Sequence, residues 1–313
     1  MKKEWDVIII GAGPAGLTAG IYSSRARMET LVLDKMGPGG QLALTENIEN
    51  YPGFKDGVGS FELIQSMSEQ AKRFGTVFSV DEVVGISVQG NLKKVITKKG
   101  EFSAWALVVA AGASPQRLGV PGEEKLTGKG VSYCATCDAM FFKDKNVVVV
   151  GGGDTAIEEA MFLTKFCKKI TVIHRRDRLR ATKILQERIF AQKDKVDFCW
   201  KSAVKEIIGD AKVQAVRVQN VDTGEVKDIA CDGVFVFVGY TPNSSFLKGV
   251  LKMDESGFVA SDDDMKSSVE GIFACGDIRR KSLKQVVTAC GEGATAAFCA
   301  QRYVEELKGT AYS

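Results

Sequence analysis

The chain has 313 residues, enough for about two domains with cores of their own. Hydrophobic residues make up 45% and charged residues 26%; Lys+Arg 42 against Asp+Glu 39 leaves +3, which argues against a nucleic-acid binder. No run approaches the ~20 apolar residues of a membrane span. The apolar start at residues 7–10 follows Asp6 and stops at Gly11, too short for a leader peptide. Eight cysteines in a large chain without a secretion signal read as mostly reduced, cytoplasmic thiols. Glycine is in surplus, 33 residues against an average of roughly 7%, and clusters in loops, which suggests close backbone approach to ligands.

Residues 6–10 form a β-branched run that reads as a buried strand. It leads straight into Gly11-Ala12-Gly13-Pro14-Ala15-Gly16, and a helical pattern covers 14–25. Strand, Gly-x-Gly-x-x-Gly and helix together make the dinucleotide fingerprint: the glycines admit a pyrophosphate to the backbone, and the helix N-terminus favours its charge. The next strand, 30–33, ends at Asp34, 23 residues after Gly11, where an acid suits a ribose diol. The glycine-rich loops at 37–41 and 49–53 read equally as connectors or ligand loops. An amphipathic helix is expected over 61–74, antiparallel strands over 83–88, 93–97 and 101–105, and another buried strand over 106–111. That strand runs into Gly112-Ala113-Ser114-Pro115.

Cys134-Ala135-Thr136-Cys137-Asp138 is the stretch with chemistry of its own. Such spacing closes a small disulfide or holds a metal, and at the first turn of a helix it favours a reactive thiolate. A zinc site needs two more ligands. The other cysteines (Cys167, Cys199, Cys231, Cys275, Cys290, Cys299) are scattered singly and His174 is the only histidine, so the pair is read as redox-active, with no metal.

A second unit repeats the plan of the first. A strand at 146–150 meets Gly151-Gly152-Gly153-Asp154-Thr155-Ala156, a Gly-x-Gly-x-x-Ala loop opening a helix that runs to 166. The strand at 169–173 ends at His174-Arg175-Arg176, with His174 again 23 residues after the first glycine and Arg178 and Arg180 just beyond. Cations where the first unit has an acid suit a 2′-phosphate and point to NADPH. Strands at 213–219 and 226–229 pair around Asp222-Thr223-Gly224, and a buried strand at 233–238 ends in Gly239-Tyr240-Thr241-Pro242, a match to Gly112–Pro115. The tail gives a strand at 271–274, Gly276-Asp277, and a helix over 288–307 whose small early residues allow close approach of a flat ring or another helix. The second copy is thus read as inserted into the first.

On these motifs the chain resembles the low-molecular-weight, bacterial-type thioredoxin reductases along essentially its whole length. The likeness is carried by Cys134–Asp138, the loops at Gly11 and Gly151, His174-Arg175-Arg176 with Arg180, Gly276-Asp277 and Lys284-Gln285-Val286. It implies an α/β fold of two Rossmann-like, three-layer ββα domains. The FAD domain would comprise 1–115 and 246–313, and the NADPH domain, bearing the cysteines, 116–245. FAD contacts are implied at Gly11, Gly13, Pro14, Ala15, Gly16, Asp34, Gly39, Gly40, Gln41, Asn50, Val83, Gly112, Gly276, Asp277, Gln285 and Val286. NADPH contacts are implied at Gly151, Gly153, Asp154, Thr155, His174, Arg175, Arg176 and Arg180.

The resemblance further implies a homodimer that passes electrons from NADPH through FAD to Cys134–Cys137 and on to thioredoxin. Cys137 would lie against the flavin, Cys134 would attack the partner, and Asp138 would move the proton. Two departures stand out: Ala139, where many members have glycine and where a methyl is expected to perturb partner access, and Ala110-Ala111-Gly112, where Ala-Thr-Gly is common. Since the nicotinamide site and the cysteines share the insert, it is expected to turn about 112–115 and 239–242 between half-reactions. Rival readings are a flavoenzyme of this build acting on another disulfide protein, and a flavin-binding sensor in which the disulfide is a structural clip.

Overall fold

The computed structural model describes residues 4–44 and 47–311. These divide into two compact units: one built from the chain up to Ser114 and again from Thr241 onward, the other from Pro115–Tyr240.

In the first unit β1 (Glu4–Ile10) leads through the glycine loop into α1 (Pro14–Arg25) and β2 (Thr30–Asp34). Two short strands, β3 (Asn47–Ile48) and β4 (Val58–Gly59), precede α2 (Ser60–Arg73) and β5 (Val77–Val80). Then come β6 (Val83–Gln89), β7 (Leu92–Thr97), β8 (Glu101–Val109) and the exit strand β9 (Ala113–Pro115).

The second unit contains α3 (Glu123–Leu126), β10 (Val131–Ser132), α4 (Ala135–Asp138), β11 (Asn146–Val150), α5 (Asp154–Leu163), β12 (Lys169–Ile173), α6 (Lys183–Phe190) and β13 (Val196–Cys199). It continues with β14 (Ser202–Gly209), β15 (Val213–Asn220), β16 (Val226–Ala230) and β17 (Gly233–Val236); β18 (Tyr240–Pro242), where the chain returns to the first unit, pairs with the exit strand β9. The chain closes the first unit with β19 (Ile272–Ala274) and α7 (Val286–Lys308). No helix among the described residues is long and apolar enough to cross a membrane.

Both units follow one plan. In the first, β5-β2-β1-β8 are consecutive parallel neighbours, β19 adds a further parallel strand to β8, and β6-β7-β8 form an antiparallel meander. In the second, β13-β12-β11-β17-β10 are parallel and β14-β15-β16 is the meander. Both central strands, β1 and β11, are buried beyond their first residue and, Asp6 apart, apolar there, as strands covered on both faces tend to be.

The sequence suggests separate strands on either side of Trp105; the structure shows one. β8 keeps β1 along one edge from Ser103 to Val109, while its other edge changes partner from β7 to β19. In the second unit the equivalent strand does break, between β16 and β17. There Gly233 lies so close to Phe142 that a Cβ would overlap the ring. Four elements carry little sequence signal. β5 and β13 are four residues long with mixed burial, and α6 and β14 interleave apolar and charged residues.

The small residues of α7 serve helix packing. A Cβ at Gly293 would overlap the Ala15 carbonyl, and Ala289, Ala296 and Ala297 are buried with Ala15 and Ala19 of α1. The last turn of α7 is tied to β1 by the Lys308–Asp6 ion pair.

Candidate active site

The first glycine loop has the shape of a phosphate cradle. Gly11 sits at φ 108°, and a Cβ there would run into the Ala110 carbonyl; one at Gly16 would run into the carbonyl of Gly11. Gly13 caps α1 with Pro14 in its first turn, and no side chain caps the leading amides. Uncapped N–H groups at a helix start are what a pyrophosphate satisfies. Gly40 approaches Gly13 backbone to backbone, a Cβ on Gly40 lying 3.1 Å from the Gly13 Cα, and the Gly39 N–H donates to the Ala12 carbonyl at 2.9 Å. The contact sets the 37–41 loop against the first glycine loop. Gln41 follows on the same 3-10 turn, Gly40–Leu44.

Asp34 ends β2 and does more than face a ligand. Its carboxylate accepts from Ala12 N at 2.9 Å, Met36 N at 2.8 Å and Gly37 N at 3.0 Å. A carboxylate offers roughly four acceptor positions, so one remains for a ribose hydroxyl. The Asp81 N–H donates to the Asp34 carbonyl at 2.9 Å, which brings Val83 at the start of β6 to the same end of the sheet. Asn50 Nδ2 donates to Gln285 Oε1 at 3.1 Å, joining loops 235 residues apart. Gln285 is the N-cap of α7 and Val286 its first residue. Gly276 and Asp277 follow β19 beside Ala15, whose Cβ a methyl on Gly276 would meet at 2.8 Å. Gly112 closes the rim at φ 63°, its carbonyl taking the Asn243 N–H at 3.0 Å. The expected positions thus gather beyond the carboxyl ends of β1, β2, β8 and β19, where α/β sheets bind ligands.

The second unit repeats the cradle with different chemistry. Gly151 sits at φ 148° against the Phe237 carbonyl, and Gly153 caps α5 without side-chain help. The Gly152 carbonyl accepts from the Arg180 and Ala181 amides at 2.7 and 3.1 Å, and Asp154 accepts from Thr182 N at 2.7 Å, so the loop after β12 is laced to the glycines. Thr155 lies half-buried in the first turn of α5.

His174 packs on Gly152; a Cβ there would stand 2.6 Å from the ring. Its Nε2 is buried without a partner among the described residues, and burial, then Arg180, Arg176 and Arg175, lowers its pKa. The imidazole is therefore neutral at pH 7 and leaves a polar nitrogen for a ligand. Arg175, Arg176 and Arg180 are exposed and form no salt bridge among the described residues.

Cys134 and Cys137 form a disulfide with Cα atoms 5.4 Å apart. Cys134 is the N-cap of the single-turn α4, and its Sγ accepts from Cys137 N at 3.1 Å. The Cys134 N–H is held by Ser132 Oγ at 3.1 Å. Cys137 is exposed and Cys134 half-buried, whereas the resemblance assigns the attack to Cys134. Asp138 closes α4, half-exposed. Ala139 is buried with Phe142 in the core of its unit, so its methyl fills space inside and does not face a partner. Among the other cysteines, burial pushes Cys167 up to about 11 and Cys231 and Cys275 up to about 12, which keeps those three protonated.

One group at this site has no sequence signature. Glu159, on the second turn of α5, accepts from Ala135 N at 2.9 Å, directly behind the cysteine turn. Beside Glu158 it reads as part of a solvated helix face, and only the packing of α4 on α5 shows otherwise.

Comparison with known proteins agrees with this geometry. The family described as pyridine nucleotide-disulphide oxidoreductase matches residues 5–293. The thioredoxin reductase of Peptoclostridium litorale is 49% identical over 313 residues, covering 98% of this chain and 99% of that protein. Among solved structures, Lactococcus lactis thioredoxin reductase (FR conformation) matches at TM-score 0.94 and 44% identity over 96% of this chain and 99% of that one. The enzyme of T. acidophilum matches at 0.92 and 33%, over 98% and 100%. The chain therefore belongs to the pyridine nucleotide-disulphide oxidoreductase family, on its thioredoxin reductase branch, whose chemistry joins a nicotinamide, a flavin and a disulfide.

Proposed function

We propose that the protein is an NADPH-dependent thioredoxin-disulfide reductase that holds FAD in its first unit and NADPH in its second. The observation that carries this is the disulfide at the start of α4, in the same unit as a second glycine cradle flanked by unpaired arginines. When bound, FAD supplies the ring through which a hydride's electron pair reaches sulfur.

The chain's own residues do the rest. Gly11–Gly16 and the uncapped start of α1 take the pyrophosphate, Asp34 takes one ribose hydroxyl, and Asn50 with Gln285 fixes the loops that close over it. Arg175, Arg176 and Arg180 read the 2′-phosphate, and Asp154 with the Arg180 and Ala181 amides fixes the loop that presents them. Cys137 attacks the thioredoxin disulfide as the thiolate, and Cys134, whose sulfur receives the Cys137 amide, then closes on Cys137 and releases reduced thioredoxin. Asp138 is the nearest carboxylate in sequence for the proton of the leaving thiol.

The protein works as a cytoplasmic homodimer, and the insert turns about its two connections between the two half-reactions. Thiol titration tests the core of this proposal. NADPH added to the flavin-loaded enzyme should expose two new thiols per flavin, and oxidised thioredoxin should consume them. No new thiols would mean that the disulfide is a structural clip.

A further inference from the structure

Three amides open the cysteine turn, and they are shared unequally. The Cys137 N–H donates to the Cys134 sulfur at 3.1 Å. The Ala135 N–H donates to Glu159 Oε2 at 2.9 Å, and the neighbouring Thr136 amide also works to lower the pKa of that carboxyl. Ala135 and Thr136 are the two residues between the sulfurs, so Glu159 grips the segment that must yield when the S–S bond opens. Opening leaves an anionic sulfur on a turn whose other amides already serve a carboxylate. Two negative charges then compete for one set of donors in a half-buried place, and like charges there raise each other's affinity for a proton.

We propose, given Cys134–Cys137 as the redox pair, that Glu159 is its proton-coupled positioning residue: the carboxyl gains a proton when the disulfide is reduced and loses it when the disulfide re-forms. The step balances. The S–S bond takes two electrons from the reductant and breaks, one sulfur takes a proton and becomes a thiol, and the other stays a thiolate. A second proton goes to a Glu159 carboxylate oxygen. Oxidation by a disulfide partner returns both protons.

The carboxyl is poised for this exchange. Burial raises its pKa to about 7, the two amides oppose the rise, and Glu158 adds to it. Other ionisable groups lie on the elements around α5: Cys134, Cys137 and Asp138 on and beside α4, Lys183, Glu187 and Arg188 on α6, and Lys169 on β12. Among these and its own helix, only Glu158 contributes a charge effect at Glu159. In the oxidised enzyme the two cysteines do not titrate.

The test compares flavin-loaded wild type with Glu159→Gln, which keeps an acceptor for the amides and removes the titration. Each is equilibrated with reduced and oxidised dithiothreitol between pH 6 and 8.5, quenched in acid, alkylated and counted by mass. Above pH 7 the wild type should take up close to one more proton per disulfide reduced. The ratio of the two equilibrium constants should then drift by up to about tenfold per pH unit. The pH profile of kcat/KM for oxidised thioredoxin, which reports the reduced enzyme, should lose a bend above pH 7 in Glu159→Gln, and Glu159→Asp should restore it.

Parallel pH slopes for wild type and Glu159→Gln, or a uniform loss of activity with an unchanged profile, would overturn the proposal and leave Glu159 a mere brace. If Glu159→Gln fails to retain flavin, a wild-type proton uptake that shows no change across pH 7 overturns it equally. A wild type that yields no trapped thiols would instead sink the redox assignment of the cysteines, a distinct outcome.

Discussion

Replacing Arg175 and Arg176 together by alanine probes the coenzyme site most directly. Both side chains are exposed and unpaired among the described residues, so their removal breaks no internal bond, and the lacing of the loop runs through backbone amides of Arg180 and Ala181 that the change leaves alone. A hydrogen bond to a charged partner contributes about 1.5–3 kcal/mol, and exposure lowers that to about 1–1.5 kcal/mol for each arginine on a 2′-phosphate. The pair then accounts for about 2–3 kcal/mol. At 1.36 kcal/mol per decade, kcat/KM for NADPH should fall about 30- to 150-fold, mostly through KM. NADH carries no 2′-phosphate and should lose less than about threefold by the same arithmetic. Steady-state kinetics with both coenzymes at two salt concentrations is the assay, and the NADPH preference should shrink as salt rises even in wild type. Equal losses for NADPH and NADH would refute the reasoning, because the arginines would then be acting on something common to both.

The cysteines should be separable. In Cys134→Ser the exposed Cys137 should form a stable mixed disulfide with thioredoxin, whereas Cys137→Ser should capture little; the reverse order, seen on a non-reducing gel, would assign attack to Cys134. Gly152→Ala drives a methyl into the His174 ring, and overpacking of this kind costs about 1–3 kcal/mol, readable as an earlier urea midpoint. An unshifted midpoint with unchanged NADPH affinity would show that the ring moves freely. His174 has a pKa below the ordinary 6.5, so as pH drops past 6.5 the unfolded chain takes a proton that the native ring refuses, and stability falls. Glu159, raised to about 7, works in the opposite sense, adding stability as pH falls from 7. His174→Gln should therefore flatten only the first effect, and urea unfolding at pH 5 to 7 that gives identical slopes for both proteins would contradict a neutral, buried imidazole.

Much of this molecule is written locally. A β-branched run, three glycines and a helix pattern fix their own geometry within about 20 residues, because backbone sterics and helix periodicity act between near neighbours. The sequence therefore determined both cradles, the offset of Asp34 and of His174 from them, and the cysteine turn. Tertiary structure alone decided what depends on partners distant in the chain. It decided that β8 is one strand with two successive partners on one edge, that Ala139 points into a core, that Asp34 spends three acceptor positions on its own loops, and that Cys137 is the more exposed of the two cysteines. It also decided that a glutamate 24 residues from Ala135 holds the cysteine turn. A carboxylate in a helix face looks the same in sequence whether it meets water or a backbone amide, and only the packing of one helix on another settles which.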